Sequence, residues 1–116
     1  MRFPRRGDVY LVEFDPTRGH EIRKTRPAVI IQNDIGNQHS PITIVAAVTS
    51  TILPHPVMVP VAPTKGNGLV APSAIHLGQI RSIDRGRLVK RLGALDVATI
   101  DQVDAALTVS LGLASF

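Results

Sequence analysis

Two polar stretches of the sequence carry the side chains best suited to chemistry. The first runs from Gly19-His20-Glu21 to Thr25-Arg26-Pro27 and leads directly into an apolar segment. Because a proline restricts the preceding residue to extended backbone, we expect Arg26 to project from a fixed position where a loop meets a strand. A guanidinium held there can bind a phosphate through two parallel hydrogen bonds. An arginine at the start of a strand also commonly forms a surface salt bridge, so the pattern alone leaves both interpretations open.

The second stretch is a group of hydroxyl side chains, Thr49, Ser50 and Thr51, that follows the apolar run 45–48. A threonine at a strand end is usually only a good β-former. If the sheet is antiparallel, however, the end of this strand lies near the start of the strand that follows Arg26. A hydroxyl donor and a guanidinium would then share one site, on condition that the topology brings the two strands together.

Other kinds of site are not indicated by the composition. The four histidines (His20, His39, His55 and His76) are scattered without the spacing of a zinc site, and no acidic cluster suggests magnesium. The lack of cysteine excludes a disulfide, a thiolate metal site and a cysteine nucleophile, and it suits the cytoplasm. Neither a glycine-rich phosphate loop nor a nucleophile elbow occurs. We therefore predict no metal and no cofactor, and interpret His76 as structural and His55 as a loop residue.

The elements that must position these side chains are predicted to be mainly strands. Residue alternation and β-branched composition place them at residues 8–15, 27–33, 42–50, 57–62, 73–77 and 79–83. The third is apolar on both faces except at Thr43 and Thr49 and is expected to be central, while four prolines in or near the fourth place it at an edge. Turns are predicted at 33–37 and 84–87, a loop at 65–72, and a short helix or turn at 88–92.

A helix is predicted from an N-cap at Asp96 to a C-terminal Gly112. Its apolar stripe is expected in the core and consists of Ile100, Val103, Ala106, Leu107 and Leu111. The fold class is therefore mainly β, a strongly bent antiparallel sheet or small barrel with a C-terminal helix, in a single domain over residues 1–116.

The distribution of charge suggests a polyanionic partner. The chain has a net charge of +4; seven of its 13 Lys and Arg lie in the first 26 residues, and a second basic group lies at residues 81–91. Folding can join the two groups on one face toward a nucleic acid, although a solvated surface would give the same asymmetry. Aromatic residues make up 3%, which disfavours a surface that stacks bases on rings. No long apolar run follows the basic start, so we expect neither a signal peptide nor a membrane span.

A series of short motifs runs through nearly the whole chain. It comprises Arg6-Gly7-Asp8-Val9-Tyr10, Asp15-Pro16, Gly19-His20-Glu21, the run 24–34 around Arg26-Pro27, Val45-Ala46-Ala47-Val48-Thr49-Ser50, and Gln79-Ile80-Arg81-Ser82-Ile83-Asp84. In this order and spacing the chain resembles the MazF/PemK family of toxins from toxin–antitoxin modules. The resemblance implies an SH3-like barrel of antiparallel strands with helices, usually a homodimer. It also implies metal-independent, sequence-specific cleavage of single-stranded RNA and a cognate MazE-like antitoxin whose disordered tail covers the RNA groove.

The same resemblance implies roles for individual residues. The catalytic arginine and threonine of the family fall on Arg26 and Thr49. Residues implied to contact RNA are His20, Glu21, Asn33, Asp34, Ser50 and Gln79. The 2′-hydroxyl of the substrate attacks the neighbouring phosphorus, which leaves a 2′,3′-cyclic phosphate and a 5′-hydroxyl. The enzyme must align this attack, stabilise the charge that develops and protonate the leaving oxygen. Since arginine holds its proton too tightly to act as a base, we assign Arg26 to charge stabilisation and Thr49 to hydrogen-bond donation.

One residue, His20, departs from the family pattern, and two functions compete with RNA cleavage. Many relatives carry a small polar residue where this chain has His20, which titrates near neutrality; we expect His20 to contact RNA without being essential. A toxin of the same fold that inhibits a protein such as DNA gyrase would need no Arg26–Thr49 pair. An RNA-binding barrel without activity would use Arg26 only to hold phosphate. The presence of both side chains favours the nuclease.

Overall fold

Six antiparallel strands form one sheet in the computed structural model, which describes residues 3–14 and 25–114. In chain order the elements are β1 (Asp8–Glu13), β2 (Thr25–Ile30), α1 (Asp34–His39), β3 (Ile42–Thr49), β4 (Met58–Val61), β5 (Ser73–Asp84), a 3-10 turn (Arg85–Arg87), β6 (Leu88–Ala94) and α2 (Val97–Ser110). The strand order is β4-β5-β3-β2-β1-β6. The predicted fold class, mainly β with a C-terminal helix, is confirmed. So are the central position of the third strand and the edge position of the fourth.

Two apolar cores lie on opposite faces of the sheet because alternate side chains point to opposite sides. The first core lies between the sheet and α2 and contains Val9, Val29, Ala46, Val48, Val59, Ile75, Leu77, Val103 and Ala106, among others. The second core lies on the other face and contains Val12, Ala28, Ile30, Val45 and Ile83, with Tyr10, Phe14 and Leu88 packed against it. Each fully buried Val, Leu or Ile side chain contributes about 1.5–3 kcal/mol.

The loop after β4 joins the two edges of the sheet. The amide of Ala94 in β6 donates to the carbonyl oxygen of Gly66 over 2.8 Å. Gly68 adopts φ +70°, and a Cβ there would lie 2.1 Å from the carbonyl oxygen of Leu92. At Gly93 a Cβ would lie 2.2 Å from the Gly66 oxygen. Because Gly68 and Gly93 have no side chains, the backbones of the loop and of β6 can come into contact, and this contact closes the curved sheet.

Helix α2 has the predicted caps. Asp96 accepts a 2.8 Å hydrogen bond from the amide of Thr99, and the side-chain and backbone hydrogen bonds from Thr99 hold the pKa of Asp96 below its ordinary value. Gly112 follows the helix with φ +74°. Within the predicted stripe Leu111 is wrong, because it lies at the C-cap beyond the sheet and is 53% exposed. Neither helix of the described chain is long and apolar enough to cross a membrane.

Three further sequence predictions are wrong. Residues 33–37 belong mostly to helix α1 rather than to a turn, since the Asn33 side chain accepts from the amide of Gly36 and caps a helical turn. Residues 88–92 belong to strand β6, because the open edge of β1 pairs with this segment through Arg91, Lys90 and Leu88, despite two register shifts. Residues 73–77 and 79–83 form the single strand β5, whose pairing with β3 continues on both sides of a bulge.

The closure at β6 leads to a stability prediction. We expect Gly93→Ala to lower the free energy of unfolding by about 3 kcal/mol or more, because the new methyl group meets backbone that cannot move independently. Gly66→Ala is the matched control: a Cβ there has only Thr64 Oγ1, at 3.7 Å, as its nearest neighbour. It should change the free energy by less than about 0.5 kcal/mol. Urea unfolding measures both; equal stability of the two variants would contradict the closure.

Candidate active site

The pairing of β2 with β3 brings Arg26 and Thr49 together. The ladder pairs Ala28 with Ala47, Val29 with Ala46 and Ile30 with Val45. Extended by two residues toward the start of β2, the same register places Arg26 directly opposite Thr49. Directly opposed side chains point to the same face, with Cβ atoms about 4.5–5.5 Å apart. The condition set by the sequence, an antiparallel neighbour, is therefore met.

Both side chains point to the face of the sheet away from α2. Along β2, Val29 points to the first core. Ala28 points to the opposite face and belongs to the second core, and Arg26, two residues before Ala28, shares that face. We call the part of this face formed by Arg26, Thr49, Ala47, Ala74 and His76 the open face. Arg26 is exposed there, and Thr49 is half-buried beside the exposed Ser50. Ala74 is the β5 partner of Thr49, and Val12 is the β1 partner of Arg26.

The Thr49 hydroxyl is oriented by the chain that follows it. Its oxygen accepts a hydrogen bond from the amide of Thr51 over 3.1 Å. Because this bond uses a lone pair of the oxygen, the hydroxyl proton remains available for donation to a ligand. Arg26 brings a permanent positive charge and up to five donors to the same place. Together the two side chains can hold an anionic oxygen centre, such as a phosphate.

Several arginines of the two basic groups stabilise the fold rather than forming one basic face. Arg6 lies 2.7 Å from Asp104 of α2, and Arg91 lies 3.3 Å from the buried Asp8 of β1. The Arg87 guanidinium donates to the carbonyl oxygens of Glu13 and Phe14. At least these three arginines therefore have internal partners, whereas Arg26 is exposed on the open face.

Of the other residues predicted to contact RNA, Ser50 adjoins Thr49, Asn33 and Asp34 lie at the far end of β2, and Gln79 lies in β5. His20 and Glu21 lie outside the described residues. Asn33 and Asp34 follow the far end of β2, where Asn33 caps α1 and Asp34 accepts from the Arg6 amide over 2.7 Å. The strand rise from Arg26 to Ile30 alone is about 13 Å. Gln79 is exposed in the β5 bulge, two residues along the β3 register from Thr49.

The bulge of β5 is a feature that the sequence analysis missed. Ala46 pairs with Ile80 whereas Ala47 pairs with His76, so residues 77–79 have no partners on β3. The signal in the sequence was Gly78, which was interpreted as a break between two strands. In the structure, the amide of Gly78 donates to His76 Nδ1 over 3.0 Å, and the next residue, Gln79, is exposed.

Across residues 3–14 and 25–114, no three His, Cys, Asp or Glu side chains are grouped as a metal site requires.

Comparison with known proteins yields one family. A family model described as PemK-like, MazF-like toxin of type II toxin-antitoxin system matches residues 5–111. Endoribonuclease EndoA of Bacillus subtilis (strain 168) is 44% identical over 116 residues, which cover 97% of each chain. Endoribonuclease MazF of Staphylococcus epidermidis is 46% identical over 114 residues, 97% of this chain and 94% of that protein.

Solved structures agree with this result. An endoribonuclease in complex with its cognate antitoxin from a mycobacterial species superposes with a TM-score of 0.79 at 25% identity, covering 97% of this chain and 99% of that one. A MazE-MazF structure from Deinococcus radiodurans gives a TM-score of 0.79 at 25% identity, with 96% and 97% covered.

The register that pairs Arg26 with Thr49 depends on a buried polar network at the β2–β3 connection. Asn37 is fully buried; its amide oxygen accepts from the Thr43 hydroxyl over 2.7 Å, and its amide nitrogen donates to the carbonyl of Gln32. We expect Asn37→Ala to lower the free energy of unfolding by about 2–4 kcal/mol, because it leaves these buried groups unpaired.

Gln38→Ala, at the exposed neighbouring position of the same helix, is the control and should change stability by less than about 0.5 kcal/mol. Chemical unfolding gives both values. A loss at Asn37 no greater than at Gln38 would show that the network does not hold the connection.

Proposed function

We propose that this chain, which belongs to the PemK-like, MazF-like family of toxins of type II toxin–antitoxin systems, is an endoribonuclease that cuts single-stranded RNA at Arg26 and Thr49. The two curated relatives described above are endoribonucleases by name and match nearly the full chain. The observation that carries the residue assignment is the β2–β3 register, which puts a guanidinium and a hydroxyl on one exposed face.

The reaction we propose is an internal transesterification. The ribose 2′-oxygen forms a bond to the adjacent phosphorus as the bond from phosphorus to the 5′-oxygen of the next nucleotide breaks. The 2′-hydroxyl loses a proton and the leaving oxygen gains one, so that a 2′,3′-cyclic phosphate and a 5′-hydroxyl result. Because the substrate supplies its own nucleophile, neither a protein nucleophile nor a metal-activated water is required.

Arg26 and Thr49 then stabilise the charge that develops on the non-bridging oxygens. Arg26 pairs with Val12 on β1, and the β2–β3 ladder begins two residues later, at Ala28 and Ala47. Its backbone is therefore fixed before the substrate binds. Preorganised donors of this type stabilise the transition state, and removal of one typically raises the activation free energy by about 2.7–4 kcal/mol.

The partners and the assembly are part of the same proposal. Two structural neighbours are toxins solved with an antitoxin, one described as cognate and one as MazE. We infer that this chain too is neutralised by a cognate antitoxin whose disordered tail covers the open face. A homodimer would add apolar burial to a chain of 116 residues, which is short for a self-sufficient core. Since its substrate is RNA, we place its action in the cytoplasm.

The test is cleavage of a long single-stranded RNA in EDTA by the antitoxin-free protein. We expect discrete cuts with cyclic phosphate ends, and a loss of roughly a hundredfold or more in Arg26→Ala and Thr49→Ala. Thr49→Ser keeps the hydroxyl and should retain much of the activity. Lys65→Ala removes an equal charge from an exposed loop residue that lies outside the open face, and should cut normally.

Two results would contradict the proposal. Absence of cuts from a folded wild-type protein would favour the toxin that inhibits a protein target. Cutting by Arg26→Ala at the wild-type rate would move the chemistry to other residues.

A further inference from the structure

A second row of side chains lies beside the Arg26–Thr49 pair on the open face. The sheet pairs Ala28 with Ala47, and Ala47 with His76. Ala47 lies two residues from Thr49 on the same side of β3, so His76 is a diagonal neighbour of Thr49, about 7–8 Å away between Cα atoms. The side chains between them are the small methyl groups of Ala47 and Ala74. His76 is half-buried and therefore reachable from the face on which Arg26 stands.

The β5 bulge fixes the orientation of the His76 ring. The amide of Gly78 donates to His76 Nδ1 over 3.0 Å. A Cβ at position 78 would lie 2.8 Å from the ring carbon Cε1 and 3.1 Å from Nδ1, so the ring needs a glycine there. Because Nδ1 accepts this hydrogen bond, the ring hydrogen of the uncharged imidazole is on Nε2. His76 thus offers one directed donor, Nε2–H, and no free acceptor nitrogen.

The same bulge also contains a carboxamide side chain, that of Gln79. Leu77 anchors the bulge, since its side chain is fully buried in the first core and its amide donates to the carbonyl of Val57. Leu77 belongs to the first core and Ile80 packs against it, so the regular alternation of side chains is interrupted between them and Gln79 lies within the bulge. Gln79 is exposed and carries both donors and an acceptor.

We propose that His76 is a specificity-determining residue, whose Nε2–H donates to an acceptor on the base of a nucleotide next to the cleaved bond. The inference rests on the proposed endoribonuclease function. Arg26 already supplies a cationic group for phosphate on this side of the sheet. A single directed donor, with the exposed carboxamide of Gln79 in the adjoining bulge, matches the mixed hydrogen-bonding edge of an unpaired base instead. Since the Gly78 amide occupies Nδ1 and Nε2 carries the hydrogen, the ring donates to the substrate rather than taking the 2′-hydroxyl proton.

The experiment maps cleavage in an RNA pool randomised around the cut. Wild-type protein, His76→Leu, Gly78→Ala and the control His39→Ala are compared by sequencing the new ends. His39 is exposed at the end of α1 and lies off the open face. We expect His76→Leu to relax base preference at one position by roughly tenfold. Gly78→Ala should relax the same position, because its methyl group displaces the ring, whereas His39→Ala should match the wild type.

Further readouts separate base recognition from a structural role. For His76→Leu on the wild-type target sequence, KM should rise more than kcat falls. His76→Asn restores a hydrogen-bond donor and should recover part of the base preference. The inference would be overturned if His76→Leu kept the wild-type base preference, whether its cleavage rate stayed the same or fell equally on all sequences. If the wild-type protein makes no cuts, the proposed function fails together with this inference. If it cuts but His76 and Gly78 leave the preference unchanged, only the inference fails.

Discussion

The antiparallel pairing of β2 with β3 is the constraint on which the proposed site depends. A shift of one residue in this pairing would turn Arg26 and Thr49 to opposite faces and would exchange the two cores. The pairing is set at the other end of the strands by α1. There the buried Asn37 connects Thr43 of β3 with the backbone of Gln32, and Gln32 donates to the carbonyl of Ile42. A buried polar network therefore fixes the geometry of an exposed site at the far end of the same two strands.

Charged residues of the chain divide between two tasks. Arg6, Arg87 and Arg91 bind carboxylates or carbonyl oxygens that connect the N-terminal segment, β1, β6 and α2. Arg26 instead begins a strand at the edge of the second core and remains exposed. The distinction matters for a toxin that we propose binds RNA, because only guanidinium groups free of such internal partners can attract phosphate at little cost.

Local sequence signals predicted most of the elements, and the central and edge positions of the third and fourth strands, but little else of the long-range geometry. Alternation and proline placement identified the strands, and Asp96 and Gly112 marked the ends of α2, because these signals act within a few residues. The short helix at Asn33, the strand at residues 88–92 and the continuity of β5 depend on partners distant in the chain, so local composition misassigned them. Arg26 and Thr49 were paired through a family resemblance and a conditional topology. His76 gave no signal of its own, since its position is defined by the register of β3 and by a bulge.

The central claim, that Arg26 and Thr49 act on the same phosphate, is tested most directly by a double-mutant cycle on kcat/KM for RNA cleavage. Arg26→Ala, Thr49→Ala and the double variant are compared with the wild-type protein on one substrate. Residues that act as a unit are strongly non-additive, so the double variant should be little worse than the more impaired single variant. Losses that multiply in the double variant would show that the two side chains act independently and would contradict the shared site.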